Sequence, residues 1–279
     1  MIMKKDRYKF MLIQEIRKYV PKCKFGICAY DENEENIFSF SENTAIDAAC
    51  TLKVFIMLEY MKQINEKRII GNEYLIVTEE NTATGAGVIK FLSYGIRVKA
   101  NDLVELMISI SDHMAANMLI DFLGIDNINE TIRDFGFENT KLLKKYLVPN
   151  NKYVAKTTAY DYTKFFYMLD KNKFFNEESC KYMKDILFSQ KYKDFLAEPL
   201  FSNNEYIDMA SKSGKVDGRT FEIPINSVMN DGGIIVTKKG NYYMSFLSEI
   251  DSTSNVMMSD IKDFMHTVSK TILKEYLKK

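Results

Sequence analysis

Cys50-Thr51-Leu52-Lys53 sets a thiol three residues ahead of an ammonium, and Val54-Phe55-Ile56-Met57-Leu58 follows at once. The apolar stretch from Lys53 to Ile64 reads as one long helix. Residues three apart share a helix face, so Lys53 is within reach of the sulfur. A thiol at the start of that helix also feels the positive end of its dipole. Both influences favour thiolate. The plain alternative is an inert buried thiol, the usual state of a free cysteine. Lys53 leads a helix too apolar to be solvated all round, so its charge needs a partner.

Two further short motifs stand far along the chain, Ser111-Asp112-His113 and Lys212-Ser213-Gly214. Ser111-Asp112 suits a helix N-cap, and Lys212-Ser213-Gly214 suits a strand end.

Around these motifs the element order is regular. Residues 6–19 carry Phe10, Met11, Ile13 and Ile16 at helical spacing. Lys24 to Tyr30 and Asn36 to Phe40 read as strands, joined by the polar run 31–36. Helices are expected at Lys53–Ile64, Leu103–Ser109, His113–Leu123, Asn127–Phe135, Thr158–Leu169 and Glu177–Ser189. Strand character returns at Ile207–Ser213, Val228–Val236 and Tyr242–Ile250, with Lys239-Gly240-Asn241 as a hairpin turn. Asp260 to Leu277 closes as an amphipathic helix. Terminal segments must then share one sheet around a helical insertion. The expectation is an α+β fold, a five-stranded antiparallel sheet flanked by helices. Residues 1–47 and 190–279 would form the sheet domain and 48–189 an all-helical domain, with the active site at their junction.

The chain resembles the class A β-lactamase-like members of the penicillin-recognising serine hydrolase superfamily. With serine first, the three motifs are S-x-x-K, S-D-N and K-T-G of that group. The resemblance extends through Gly85-Ala86-Gly87-Val88-Ile89, Asp102-Leu103, Ala115-Ala116-Asn117, Gly136 with Thr140, Thr157-Thr158-Ala159 and Asp231-Gly232-Gly233. It implies a β-lactamase/transpeptidase-like fold and a hydrolase that forms an acyl-enzyme. By the same likeness Cys50 stands at the nucleophile position, Lys53 beside it, and Ser111 relays a proton to the leaving amine. Lys212 would hold Ser111 and the acidic group of the substrate. Ser213 and Gly214 would bind substrate, and the amides of Cys50 and Lys215 would form the oxyanion hole, worth about 3 kcal/mol per donor.

Three departures limit that transfer. The nucleophile position carries a thiol. His113 replaces the Asn of the motif, and two readings are open for it: a thiolate–imidazolium pair with Cys50, or a hydrogen bond to substrate or backbone. The loop Glu that activates the deacylating water in class A enzymes is replaced by Tyr146, although Asn150 is retained. Its bracing Arg and Asp positions hold Lys144 and Lys156, and residues 141–156 contain no Asp or Glu. Slow β-lactam turnover is therefore expected. An acyltransferase or amidase acting on a soluble peptide-like or biosynthetic intermediate, and a ligand-binding protein that has lost catalysis, are the alternatives. The supporting Arg for a substrate carboxylate is absent, leaving Arg219 or Lys215 to compensate.

Bulk properties fit this reading. The 279 residues are 46% hydrophobic, with 38 basic and 38 acidic side chains. No basic stripe suggests nucleic acid, and no apolar run suits a membrane span. Lys4 and Lys5 are followed by Asp6, Arg7 and Lys9 rather than an apolar signal core, so a cytoplasmic location is expected unless a leader was removed. Cys23, Cys28, Cys50 and Cys180 show neither a disulfide framework nor zinc spacing. His266, on the last helix, reads as structural or exposed. The expected partner is a small-molecule or peptide-like substrate bearing a carboxylate, with a monomeric protein, no metal and no cofactor.

Overall fold

The computed structural model describes residues 2–19, 22–146, 154–222 and 224–279. Helix α1 (Ile2–Arg17) leads into the hairpin of β1 (Cys23–Asp31) and β2 (Asn36–Phe40). Asp31 makes that turn, its Oδ1 accepting from the backbone of Asn33 at 3.0 Å and Glu35 at 2.9 Å. The short β3 (Ile46–Asp47) follows, then a single 3₁₀ turn, Ala49–Leu52, and helix α2 (Lys53–Asn65). A ribbon of β4 (Tyr74–Ile76) and β5 (Arg97–Lys99) precedes α3 (Ala100–Ser109), α4 (His113–Leu123) and α5 (Ile125–Asp134). β6 (Lys141–Leu142) and β7 (Ala155–Thr157) pair with each other, and β7 also pairs with β3. Helices α6 (Ala159–Asp170) and α7 (Glu177–Phe188) come next. The chain ends with β8 (Tyr206–Ser211), β9 (Gly214–Val216), β10 (Ser227–Thr237), β11 (Gly240–Ile250) and α8 (Met258–Lys278).

The main sheet is antiparallel in the order β2-β1-β11-β10-β8. The α+β class and the five strand positions match the sequence reading. One detail differs: the strand read as Ile207–Ser213 leaves the ladder after Ser211. Lys212 and Ser213 fall between the two ladders, with Lys212 N–H still donating to Gly232 O at 3.2 Å, and β9 resumes pairing with β10 on the same edge. Six strands thus fill five positions, and the break falls on the Lys-Ser-Gly motif.

Period-two alternation sorts the sheet into two faces. Phe25 and Ile27 of β1, with Met244 and Phe246 of β11, join Phe264 and Val268 of α8 in one apolar cluster. Cys28, Tyr243 and Leu247 point the other way, into the cluster that contains α6 and α2. Helix α6 lies on the sheet, where Thr163 Oγ1 meets Ser245 Oγ at 2.6 Å. Gly232 permits that approach, since a Cβ there would stand 2.7 Å from the Tyr162 ring. Every residue of α2 from Lys53 to Met61 is buried, which marks it as the central helix of the other half.

Asn230 fastens the sheet to the turn before α2. It is fully buried, and its Nδ2 donates to the carbonyls of Asp47 at 2.8 Å and Ala48 at 3.3 Å, while its Oδ1 accepts from Ser248 N–H at 3.0 Å. Asn230→Ala would remove these bonds, leaving the Ala48 carbonyl only its bonds from Thr51, with an expected loss of about 2–4 kcal/mol. Urea unfolding checks this. A midpoint equal to that of the wild type would show that the tie contributes nothing.

Candidate active site

The 3₁₀ turn carries Cys50 to the floor of a cleft of about 400 Å³ between the two halves. Its φ of +46° at Ala49 is a conformation that a residue with a Cβ adopts only under constraint. The constraint is visible: Ala49 N–H donates to Asp47 Oδ1 at 2.8 Å, and its carbonyl accepts from the Tyr146 phenol at 3.1 Å. On the other side β9 presses against the turn. A Cβ on Gly214 would lie 2.8 Å from Cys50 N and 3.0 Å from Thr51 N, so only glycine fits there.

Asp112 organises the facing wall. As N-cap of α4 its Oδ1 accepts from Ala115 N–H at 2.9 Å. Its Oδ2 takes the amides of Val88 at 2.6 Å and Ile89 at 2.9 Å. Gly87 lies against this carboxylate, with φ +116° and no room for a Cβ. The loop so held presents the Thr84 carbonyl to His113 Nδ1 at 2.8 Å, while His113 Nε2 lies 3.3 Å from Cys50 Sγ. A carbonyl only accepts, so Nδ1 bears a proton. Nε2 is then left either to accept from the thiol or, when protonated, to donate to a thiolate. The imidazole ring stacks on Tyr146 at 5.6 Å and 23°.

Lys53 is fully buried behind the sulfur. Its Nζ donates to Ser111 O at 2.7 Å, Ser111 Oγ at 3.1 Å and Asp112 O at 3.4 Å, and stands 4.7 Å from the centre of the Tyr146 ring. Ser111 itself has φ +59° and lines the cleft. Lys212, also fully buried, donates to Ser213 O at 2.7 Å and Gln190 Oε1 at 3.2 Å. Gln190 Oε1 also takes the Ser213 amide at 2.9 Å, and its Nε2 donates to Ser211 Oγ at 2.7 Å. Gln190 thereby props the break between β8 and β9. Among the described residues neither lysine has a carboxylate within ion-pair distance.

The electrostatics follow from this layout. Burial alone pushes the Cys50 thiol up, but Lys53, His113 and Lys212 together outweigh it and hold the thiol well below its ordinary range. Burial pulls the Lys53 ammonium down, against the pull of Cys50 and Asp112. Burial brings Lys212 down to about 7, again opposed by Cys50. The Tyr146 phenol is pushed well up by burial and stays neutral. The site can therefore hold negative charge on sulfur and a mobile proton among His113, Lys53 and Lys212.

The structure brings Cys50, Lys53, Ser111, His113 and Tyr146 together, with Ser213, Gly214 and Lys215 along the opposite lip. Lys212 makes no hydrogen bond to Ser111 among the described residues; Gln190 and Ser213 take its protons instead. Arg219 does not line the cleft. It turns toward Asp217, 3.8 Å away, and donates to Met257 Sδ at 3.7 Å. Asn150 lies outside the described residues. His266 sits on α8 near the Asp194 carbonyl, away from the sulfur. Asp47, Gln190 and Thr84 were missed by sequence reasoning, because nothing local marks a glutamine or a carbonyl that acts across the fold. Asp47, three residues before the thiol, was legible in principle. No helix among the described residues is long and apolar enough to cross a membrane, and no cluster of metal-binding side chains occurs among them.

Solved structures share this fold. A single-residue mutant of PBP-A, solved as an acyl-enzyme complex with penicillin G, superposes with a TM-score of 0.86 at 20% identity, covering 98% of this chain and 97% of that one. A β-lactamase from Sphaerobacter thermophilus gives 0.81 at 22% identity, over 94% and 95% of the two chains. A class A β-lactamase representative from Bacteroides cellulosilyticus gives 0.81 at 18%, over 98% and 99%. No curated protein matches the chain. The profile of the beta-lactamase enzyme family matches residues 11–276, nearly the whole chain, and the protein accordingly belongs to that family of hydrolases.

Proposed function

We propose that the protein attacks an amide or β-lactam-type carbonyl with Cys50 and forms a covalent thioester acyl-enzyme. The observation that carries this is the 3.3 Å approach of His113 Nε2 to Cys50 Sγ in a cleft backed by two buried lysines. The thiolate attacks the carbonyl carbon. The Cys50 and Lys215 amides receive the developing oxyanion. The proton for the leaving amine comes from His113 or from Lys53 through Ser111, whose Oγ already accepts from Lys53. Tyr146 keeps its phenol neutral and braces Ala49, so it supports the turn rather than acting as a base.

Release of the acyl group is slower than its capture in this reading. The Glu position of the loop holds Tyr146, and residues 141–156 supply no carboxylate. Lys215 at the cleft lip offers a positive charge to a substrate carboxylate, whereas Arg219 points elsewhere. An acyltransferase reading uses the same thioester with an amine acceptor in place of water, and faster turnover on adding an amine would favour it.

Two measurements check the proposal. Mixing the protein with penicillin G should produce one adduct on Cys50 by intact mass and peptide mapping, accumulating because capture outruns release, and absent in Cys50→Ala. Rapid hydrolysis without any accumulating adduct would contradict it. In the second, the pH dependence of iodoacetamide alkylation of Cys50 is compared with that of His113→Ala. The midpoint should move upward in the variant, and the rate near neutral pH should fall several-fold, since one cation beside the sulfur is gone. An unmoved midpoint removes the thiolate–imidazolium pair.

A further inference from the structure

Three aspartates line the cleft, Asp47, Asp194 and Asp217, and the one tied to the turn of the nucleophile, Asp47, is left idle by the scheme above. Asp47 ends β3 and lines the cleft with Cys50, Tyr146 and Val154. Only 8% of it is exposed. Its Oδ1 accepts from Ala49 N–H at 2.8 Å, and its Oδ2 has no hydrogen-bond partner among the described residues. Its position is fixed from two sides. The backbone pairs in register with Lys156 of β7, and its carbonyl accepts from Asn230. β6, β7 and Tyr146 belong to the segment that carries no acid of its own. One oxygen is thus tied to the turn that shapes the nucleophile, and the other has no partner among the described residues, on a side chain that lines the same cleft.

That is the geometry of a positioned general base. We infer that Asp47 takes the proton from the water that releases the acyl group from Cys50, the task for which the loop has no carboxylate. The inference rests on the acyl-enzyme reading. The water oxygen bonds to the thioester carbonyl carbon while one water proton passes to Asp47 Oδ2. The tetrahedral intermediate then collapses, the C–S bond breaks, and its electron pair leaves on sulfur as thiolate. The acyl group departs as a carboxylic acid, and it and Asp47 give their protons to solvent.

The electrostatics suit that order of events. Burial lifts the Asp47 carboxyl to about 7, with Glu249 and Cys50 adding to the rise and Ala49 N–H and Lys144 opposing it. Lys156 faces it in register and Tyr146 shares its wall. Acylation removes the negative charge from sulfur. Asp47 then ionises more readily in the acyl-enzyme than in the free protein, so the base strengthens its hold on charge when water must be activated.

The competing base is His113, which touches the sulfur directly. The test separates the two. Wild type and Asp47→Asn are pulsed with penicillin G, excess drug is removed, and adduct formation and decay are followed by intact mass from about pH 5.5 to 8.5. Asn preserves the acceptor for Ala49 N–H, so formation should stay within about twofold while decay slows about a hundredfold. The wild-type decay rate should rise with pH to a plateau, and the variant should lose that rise. Adduct forming in both proteins and decaying at equal rates overturns the inference and leaves the acyl-enzyme reading standing. No adduct on Cys50 in wild type overturns both. If Asp47→Asn does not fold, a wild-type decay that is flat across this pH range overturns the inference on its own.

Discussion

A fully buried ammonium with no carboxylate beside it is the constraint around which this site is built. Lys53 has three oxygen acceptors and an aromatic face, and the negative charges that act on it are the sulfur of Cys50 first and, from beyond ion-pair distance, the Asp112 carboxylate. A desolvated cation over an aromatic ring gains on the order of 2 kcal/mol, short of the several kcal/mol that burying an ion costs. A thiolate at Cys50, with Asp112 behind it, would supply the remaining compensation, and the same pairing lowers the thiol. Lys212 repeats the arrangement from the sheet side. The chemistry and the packing therefore share one requirement, that negative charge reside on sulfur.

The rest of the scaffold serves to hold that charge cluster in place. β9 reaches the Cys50 amide because Gly214 has no side chain, and it stands clear of the β8 ladder because Gln190 takes the Ser213 amide and the Lys212 ammonium. The facing wall depends on Asp112, which gathers three amides and fixes the loop that orients His113. Asn230 binds the sheet to the residues just ahead of the sulfur. Each of these groups is polar, buried and satisfied, which is how such an interior keeps a single geometry.

The fold was legible because its signals are local. The alternation in β1 and β11, the apolar run of α2 and the spacing of the three motifs are all written in short stretches. Lys53 was legible for the same reason, since helix geometry alone puts it near Cys50. What escaped was set by long-range packing. Lys212-Ser213-Gly214 reads as a strand end, but not as a break after which pairing resumes on the same edge; Gln190, far off in sequence, props that break. The cation that Arg219 was expected to lend the cleft is spent on Asp217 and Met257. Asp47 escaped because class A enzymes keep their acid on the loop, whereas β3 delivers a carboxylate from the opposite direction in sequence. His113 stood out as a substitution, but only the Thr84 carbonyl decides which ring nitrogen faces the sulfur.

All of this turns on whether Cys50 carries negative charge in the resting protein. The ultraviolet absorbance of thiolate, measured as wild type minus Cys50→Ala while pH is raised, tests it most directly. Cys23 and Cys28 do not interfere, because burial pushes them up to about 11 and about 12. Close to one equivalent of thiolate should already be present near neutral pH. A difference signal that emerges only in the ordinary thiol range, above about pH 8, would contradict it.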